Sequence, residues 1–213
     1  MRTRVKICGI TRPEDAIVAA RSGADAIGLV FYEKSPRYID QDTARLIIDS
    51  LPAYVTIVGL FVNHSGDQVK SIAQNLGLDL LQFHGDETPA ECEATGLAYM
   101  KAVRVKDEKT VNDAIAQYSS ARSLLVDSYD KNRFGGTGES FNWDLLPKSS
   151  EMPLVLAGGL NPGNVTQAVE AVQPWAVDVS SGVESAPGIK SESLIKKFIE
   201  GVNNVDARRR DEK

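Results

Sequence analysis

The chain has 213 residues, 42% of them hydrophobic, with 24 Lys and Arg against 29 Asp and Glu for a formal net charge of −5. That is the profile of a globular domain with one sizeable core, and its acidic balance argues against a general nucleic-acid binder or a peripheral membrane protein, since both want clustered positive charge. The longest apolar run, Tyr54 to Val62, falls far short of the ~20 residues of a membrane span, and two cysteines, Cys8 and Cys92, are too few for a disulfide framework or a structural zinc site.

In chain order, one unit keeps returning: a short β-branched run, a polar or Gly-rich loop, then a stretch with helical period. Arg4–Cys8 reads as the first strand, with Arg2-Thr3-Arg4 leading straight into it rather than through an apolar leader. The expected compartment is therefore a reducing cytoplasm. A helix over Pro13–Arg21 follows, where Pro13 near the first turn and Glu14 three residues after Thr11 form a capping-box pattern. Strand Ala24–Val30 and helix Asp42–Leu51 come next, then strand Val55–Val62 and helix Gly66–Leu76. Gly23 and Gly77 sit just past helix ends, where a left-handed residue is wanted. Strand Leu78–His84 pairs with helix Thr88–Thr95, Ala98–Val103 with Glu108–Tyr118, Ser123–Asp127 with Asn142–Leu146, Met152–Ala157 with Pro162–Val172, and Ala176–Val179 with Ser191–Val202.

Helical crossovers between strands imply a parallel sheet covered on both faces. Eight units in about 200 residues suit a closed (β/α)8 TIM barrel. An open doubly wound sheet usually has a Gly-rich turn after its first strand, and Cys8-Gly9-Ile10-Thr11 is not that fingerprint. The expected organisation is one barrel over residues 1–205 and a charged, flexible tail over 206–213, whose three arginines are offset by three acids.

Chemistry in such a barrel belongs to the C-terminal ends of the strands and the loops after them. Alternation puts Lys6 and Cys8 on one face of the first strand and apolar Val5 and Ile7 on the other, so Lys6 and Cys8 should face the interior. A lone strand cysteine is commonly a small buried hydrophobe; its place as the last strand residue favours function. Asp127 ends the sixth strand on the face of Leu125, Gln82 and His84 share a face at the end of the fourth, and Asp178 lies in the eighth on the face of Ala176. Polar residues at so many strand ends describe a lined cavity. Two histidines and scattered acids show no metal-ligand spacing.

Glycine supplies another clue. Gly158-Gly159 follow the seventh strand and Ser181-Gly182 the eighth, the two loops that hold phosphate in these barrels through backbone N–H groups and a short helix N-terminus. Gly135-Gly136-Thr137-Gly138, after the sixth strand, is placed to close over a ligand. Arg37, in Ser35-Pro36-Arg37 after the second, is either a surface loop residue or a fork for a carboxylate.

Together these stretches resemble the phosphoribosylanthranilate isomerases, barrel enzymes of tryptophan biosynthesis. The likeness rests on Lys6-Ile7-Cys8-Gly9-Ile10-Thr11, Ser35-Pro36-Arg37, Gly59-Leu60-Phe61-Val62-Asn63, Leu81-Gln82-Phe83-His84-Gly85-Asp86, Asp127, the Gly135–Gly138 stretch, Ala157-Gly158-Gly159-Leu160 and Asp178-Val179-Ser180-Ser181-Gly182-Val183-Glu184. One departure is Phe141-Asn142-Trp143, where the family often has Phe-Asp-Trp; Asn caps a helix as well as Asp does.

The resemblance implies an Amadori rearrangement of N-(5-phosphoribosyl)anthranilate to 1-(2-carboxyphenylamino)-1-deoxyribulose 5-phosphate, with Asp127 as general acid and Cys8 as general base. It implies Arg37 on the anthranilate carboxylate, Gly158, Gly159, Ser181 and Gly182 near the phosphate, and Gln82, His84 and Asp178 in the substrate cavity. It implies no cofactor and no metal, because the substrate's own nitrogen stabilises the cation. The expected partner is the small phosphosugar-anthranilate substrate, with no nucleic acid and no membrane, in a monomer or homodimer. A cysteine base must be thiolate, so surroundings that favour its ionisation are expected, with Lys6 the candidate cause and Asp178 the candidate partner of Lys6. Two rivals remain: a histidine-pathway aminoaldose isomerase, whose family uses two aspartates where Cys8 and Asp127 stand here, and a catalytically silent barrel serving as a scaffold.

Overall fold

The computed structural model describes residues 2–128, 142–147 and 149–211. Eight parallel strands close into a barrel in sequence order: β1 (Arg4–Cys8), β2 (Ala26–Val30), β3 (Thr56–Phe61), β4 (Leu80–Phe83), β5 (Tyr99–Val105), β6 (Ser123–Ser128), β7 (Leu154–Leu156) and β8 (Ala176–Val179). The β1–β8 seam that closes it brings Lys6 opposite Asp178. Helices α1 (Pro13–Ser22), α2 (Gln41–Asp49), α3 (Gly66–Leu76), α4 (Pro89–Glu93), α5 (Glu108–Gln117), α6 (Val165–Val172) and α7 (Glu192–Asp211) surround the strands.

Side-chain parity decides what the barrel holds. Val5, Ile7, Leu124 and Val126 join the core between strands and helices, while Val58, Met100, Ala102, Leu125, Val155, Ala157 and Ala176 pack inside the barrel. Above that layer Cys8 packs with Val30, Leu60 and Val62. The apolar filling thus ends one layer below the mouth, and the polar strand ends begin there.

Local chemistry sets most boundaries. Asp40 caps α2 by accepting from the Thr43 N–H at 2.8 Å, Ser65 and Thr88 open α3 and α4 with capping boxes, and Gly23 and Gly77 end α1 and α3 in left-handed conformations.

Elsewhere the structure departs from the sequence reading. Thr11 and Glu14 form no capping box: α1 starts at Pro13 without a side-chain cap. The Thr11 hydroxyl donates at 2.5 Å to the Gly188 carbonyl instead, and Asp15 takes the Arg12 guanidinium at 2.6 Å. The helix expected over Asn142–Leu146 is one 3-10 turn, Trp143–Leu145, with Asn142 accepting from the Asp144 N–H. After β8 a small hairpin, β9 (Glu184–Ala186) and β10 (Ile189–Lys190), comes before α7.

The tail is corrected as well. Residues 206–211 continue α7, and buried Asp206 accepts from the Thr3 N–H at 2.6 Å and the Thr3 hydroxyl at 3.0 Å. Arg209 donates at 2.8 Å to the Val169 carbonyl in the last turn of α6, a favourable place for a cation. The last helix therefore locks the foot of β1 and the end of α6 rather than trailing into solvent. No helix among the described residues is long and apolar enough to cross a membrane.

Candidate active site

Three polar clusters stand at the C-terminal mouth of the barrel. The first grows from β1 and β8, whose register sets Lys6 beside Asp178. Lys6 Nζ donates to Asp178 Oδ1 at 2.7 Å with both side chains buried, and its charge lies next to Cys8. Gly28 on β2 leaves the room for this: a Cβ there would lie 2.7 Å from Cys8 Sγ and 3.0 Å from Lys6 Nζ.

Burial works against the Lys6 ammonium, but Asp178 and Cys8 outweigh it and raise its pKa. Burial pushes the Cys8 thiol up; Lys6 and Lys190 pull it down, Asp178 pushes it further up, and the balance lies above the ordinary thiol. The expected ionising neighbour is thus present, yet desolvation wins in the ligand-free site. The consequence is a thiolate that is scarcer but a stronger base.

The second cluster crosses from β4 to β6. Asp127, 4% exposed, lies with Oδ2 3.3 Å from His84 Nε2, close in distance but out of line for a hydrogen bond. His84 Nδ1 is 2.9 Å from the Gln82 amide nitrogen. With that amide donating to Nδ1, the ring proton sits on Nε2, towards Asp127. The buried Gln82 Oε1 has no partner among the described residues. Gln82 and His84, given no individual roles by the sequence, are thereby gathered around the carboxylate.

The third cluster gathers the loop residues. Arg37 is no free surface fork: its Nε and Nη2 donate to Glu184 Oε1 and Oε2 at 2.7 and 2.8 Å. A guanidinium has two forked edges; Glu184 takes the Nε/Nη2 edge, and Nη1 has no hydrogen-bond partner among the described residues. Glu184 and Lys190 carried no role in the sequence reading. The signal that marks them is the Pro187-Gly188 turn between Glu184 and Lys190, which folds those two opposite charges onto one hairpin.

The two glycine loops close the ring. Gly158 and Gly159 hold φ values of 80° and 65°, and the Gly159 carbonyl is tied down by the Asn164 side-chain amide at 2.9 Å. The Gly158 and Gly159 N–H groups have no protein acceptor among the described residues. Ser181 and Gly182 lie in a single 3-10 turn, Ser181–Val183. A Cβ on Gly182 would stand 1.9 Å from the Leu160 carbonyl oxygen, so the loops after β7 and β8 meet there backbone to backbone. Gly182→Ala must push them apart, and KM is expected to rise roughly tenfold or more with a smaller change in kcat; steady-state kinetics check it, and an unchanged KM would detach Gly182 from substrate binding. Gly135–Gly138, expected to close over a ligand, lie outside the described residues.

A thiol next to a lysine, a carboxylate next to a histidine, and loops shaped for anions share one mouth. That is the ground plan of a barrel enzyme that works by acid–base chemistry on a phosphorylated substrate. Comparison with known proteins narrows the class. The family model of N-(5'-phosphoribosyl)anthranilate isomerase matches residues 5–201. The chain is 54% identical to the N-(5'-phosphoribosyl)anthranilate isomerase of Pseudomonas fluorescens over 94% of this chain and 96% of that one, and 51% identical to that of Leptothrix cholodnii over 97% and 94%. Among solved structures, phosphoribosyl anthranilate isomerase from Thermotoga maritima superposes with a TM-score of 0.86 at 40% identity, covering 95% of this chain and 99% of that one. An isomerase in complex with reduced 1-(o-carboxyphenylamino)-1-deoxyribulose 5-phosphate superposes with a TM-score of 0.81, also at 40% identity and the same coverage. The chain belongs to the N-(5'-phosphoribosyl)anthranilate isomerase family.

Proposed function

We propose that the chain carries out the isomerisation step of tryptophan biosynthesis, converting N-(5-phosphoribosyl)anthranilate to 1-(2-carboxyphenylamino)-1-deoxyribulose 5-phosphate, with Asp127 as general acid and Cys8 as general base. Asp127 protonates the ribose ring oxygen while the anilino nitrogen pushes out the C–O bond, leaving an open-chain iminium. Cys8 thiolate takes the proton from sugar C2, which the adjacent cation makes acidic. The enolamine that results takes a proton at C1, gives up the proton of its C2 hydroxyl and becomes the ketone. Lys6, fixed by Asp178 and next to Cys8, supplies the positive charge beside the thiolate. Arg37 receives the anthranilate carboxylate on its open edge, and the Gly158-Gly159 and Ser181-Gly182 loops receive the phosphate, with Gln82 and His84 orienting Asp127.

The observation that carries this reading is the Lys6–Asp178 pair at 2.7 Å beneath Cys8, a device for handling a buried thiolate, in a barrel whose relatives are named for this reaction. The expected setting is the cytoplasm, as a monomer or homodimer; one similar solved protein is described as a dimeric isomerase from Thermotoga maritima studied as monomers. Adding purified protein to freshly made phosphoribosylanthranilate is expected to discharge the substrate's anthranilate-type fluorescence over many turnovers. A well-folded protein that leaves the fluorescence unchanged, or that turns over only the histidine-pathway aminoaldose, would overturn the assignment.

A further inference from the structure

Lys190 is a buried cation that the reaction above does not use. Its side chain is 0% exposed, and an ammonium stripped of water is costly unless its donors are taken up. Here they are: Nζ reaches Glu184 Oε1 at 2.8 Å, the Ser180 carbonyl at 3.1 Å and the Ser180 hydroxyl at 3.4 Å. Its backbone N–H donates at 3.0 Å to Asp15 Oδ2, the carboxylate that also holds Arg12. Lys190 therefore joins three parts of the chain: the hairpin it belongs to, the Ser180 backbone leading into Ser181-Gly182, and, through Glu184, the Arg37 loop.

The charges make the arrangement informative. Arg37 and Glu184 alone form a bidentate pair with no net charge, and a second carboxylate arriving at the open guanidinium edge would meet a neutralised cation with Glu184 close behind it. Lys190 on the same Glu184 oxygen restores one net positive charge. These side chains are buried or nearly so, with 14% exposure for Arg37, 6% for Glu184 and 0% for Lys190, so solvent screens them weakly. We propose that Glu184 and Lys190 are positioning residues of the carboxylate subsite: Glu184 fixes the edge that Arg37 presents, and Lys190 sets the net charge of the clamp at +1. This rests on the reading that Arg37 receives the substrate carboxylate.

Two probes separate charge from structure: reduced 1-(o-carboxyphenylamino)-1-deoxyribulose 5-phosphate, and the same molecule without its carboxylate. The wild type binds the carboxylated probe more tightly, and Arg37→Met removes that preference; if Arg37→Met keeps it, the underlying reading of Arg37 fails. Lys190→Met is expected to weaken the carboxylated probe about tenfold or more while leaving the other within about twofold. The double variant Glu184→Gln with Lys190→Met again has a net charge of +1, and it is expected to recover most of the lost affinity. Glu184→Gln alone, which leaves the buried lysine in place, is expected to keep a preference at least as large as the wild type's, and it tests the proposal even where Lys190→Met does not fold. An equal loss for both probes in Lys190→Met, no recovery in the double variant, or a lost preference in Glu184→Gln, with Arg37→Met behaving as stated, would overturn the proposal and leave the reaction assignment standing.

Discussion

Asp127→Asn is expected to reduce kcat by about 10³-fold or more while the protein folds normally and still binds the reduced product analogue. General acid–base groups contribute roughly 10²–10⁴-fold, and ring opening without a proton on the departing oxygen expels an alkoxide, which puts this step at the upper end. The asparagine amide keeps the size of the carboxylate and its place 3.3 Å from His84 Nε2, but it has no acidic proton to give. Thermal unfolding and analogue binding within about twofold of the wild type, together with a collapsed kcat, are the expected readings. A variant that keeps a tenth of wild-type kcat would move the acid elsewhere, to His84 first.

Cys8→Ser is the second large effect, an expected loss of about 10²–10⁴-fold in kcat. A serine hydroxyl beside Lys6 ionises far less readily than a thiol. The pH dependence adds a sign. The base must lose its proton to work, and burial holds the Cys8 thiol above its ordinary value of 9.0. The rate at which iodoacetamide alkylates Cys8, which follows its thiolate, is therefore expected to climb with pH and to be still climbing at pH 9. Lys6 pulls the thiol down, so Lys6→Met is expected to displace that rise further towards alkaline pH. A Cys8 alkylation rate that levels off below pH 8 in the wild type, or a pH dependence that Lys6→Met leaves in place, would contradict this account of the base.

The barrel was legible because its signals are local and periodic. Parity along Arg4–Cys8 alone separates Val5 and Ile7, in the outer core, from Lys6 and Cys8 inside the barrel; Leu125 likewise points inward from β6. What escaped depends on partners far away in sequence. Thr11 reads as a cap until the Gly188 carbonyl, 177 residues on, takes its hydroxyl. Asp206 reads as tail until Thr3, 203 residues earlier, gives it two donors. Arg37 is visible as a guanidinium on a loop, but not the fact that Glu184 already occupies one of its edges. The state of Cys8 shows the same limit in energetic terms. The sequence names Lys6 as an ionising neighbour, whereas the opposing cost is a matter of burial, which belongs to the packed barrel and to no residue by itself.

The central claim is that Cys8 removes the proton from sugar C2, and it is tested most directly by single-turnover kinetics on substrate carrying deuterium at that carbon. The account predicts a primary isotope effect on wild-type fluorescence decay and, for Cys8→Ser, a step slowed by about 10²-fold or more. Cys8→Ser turning over near the wild-type rate with the same isotope effect would show that another group takes the proton.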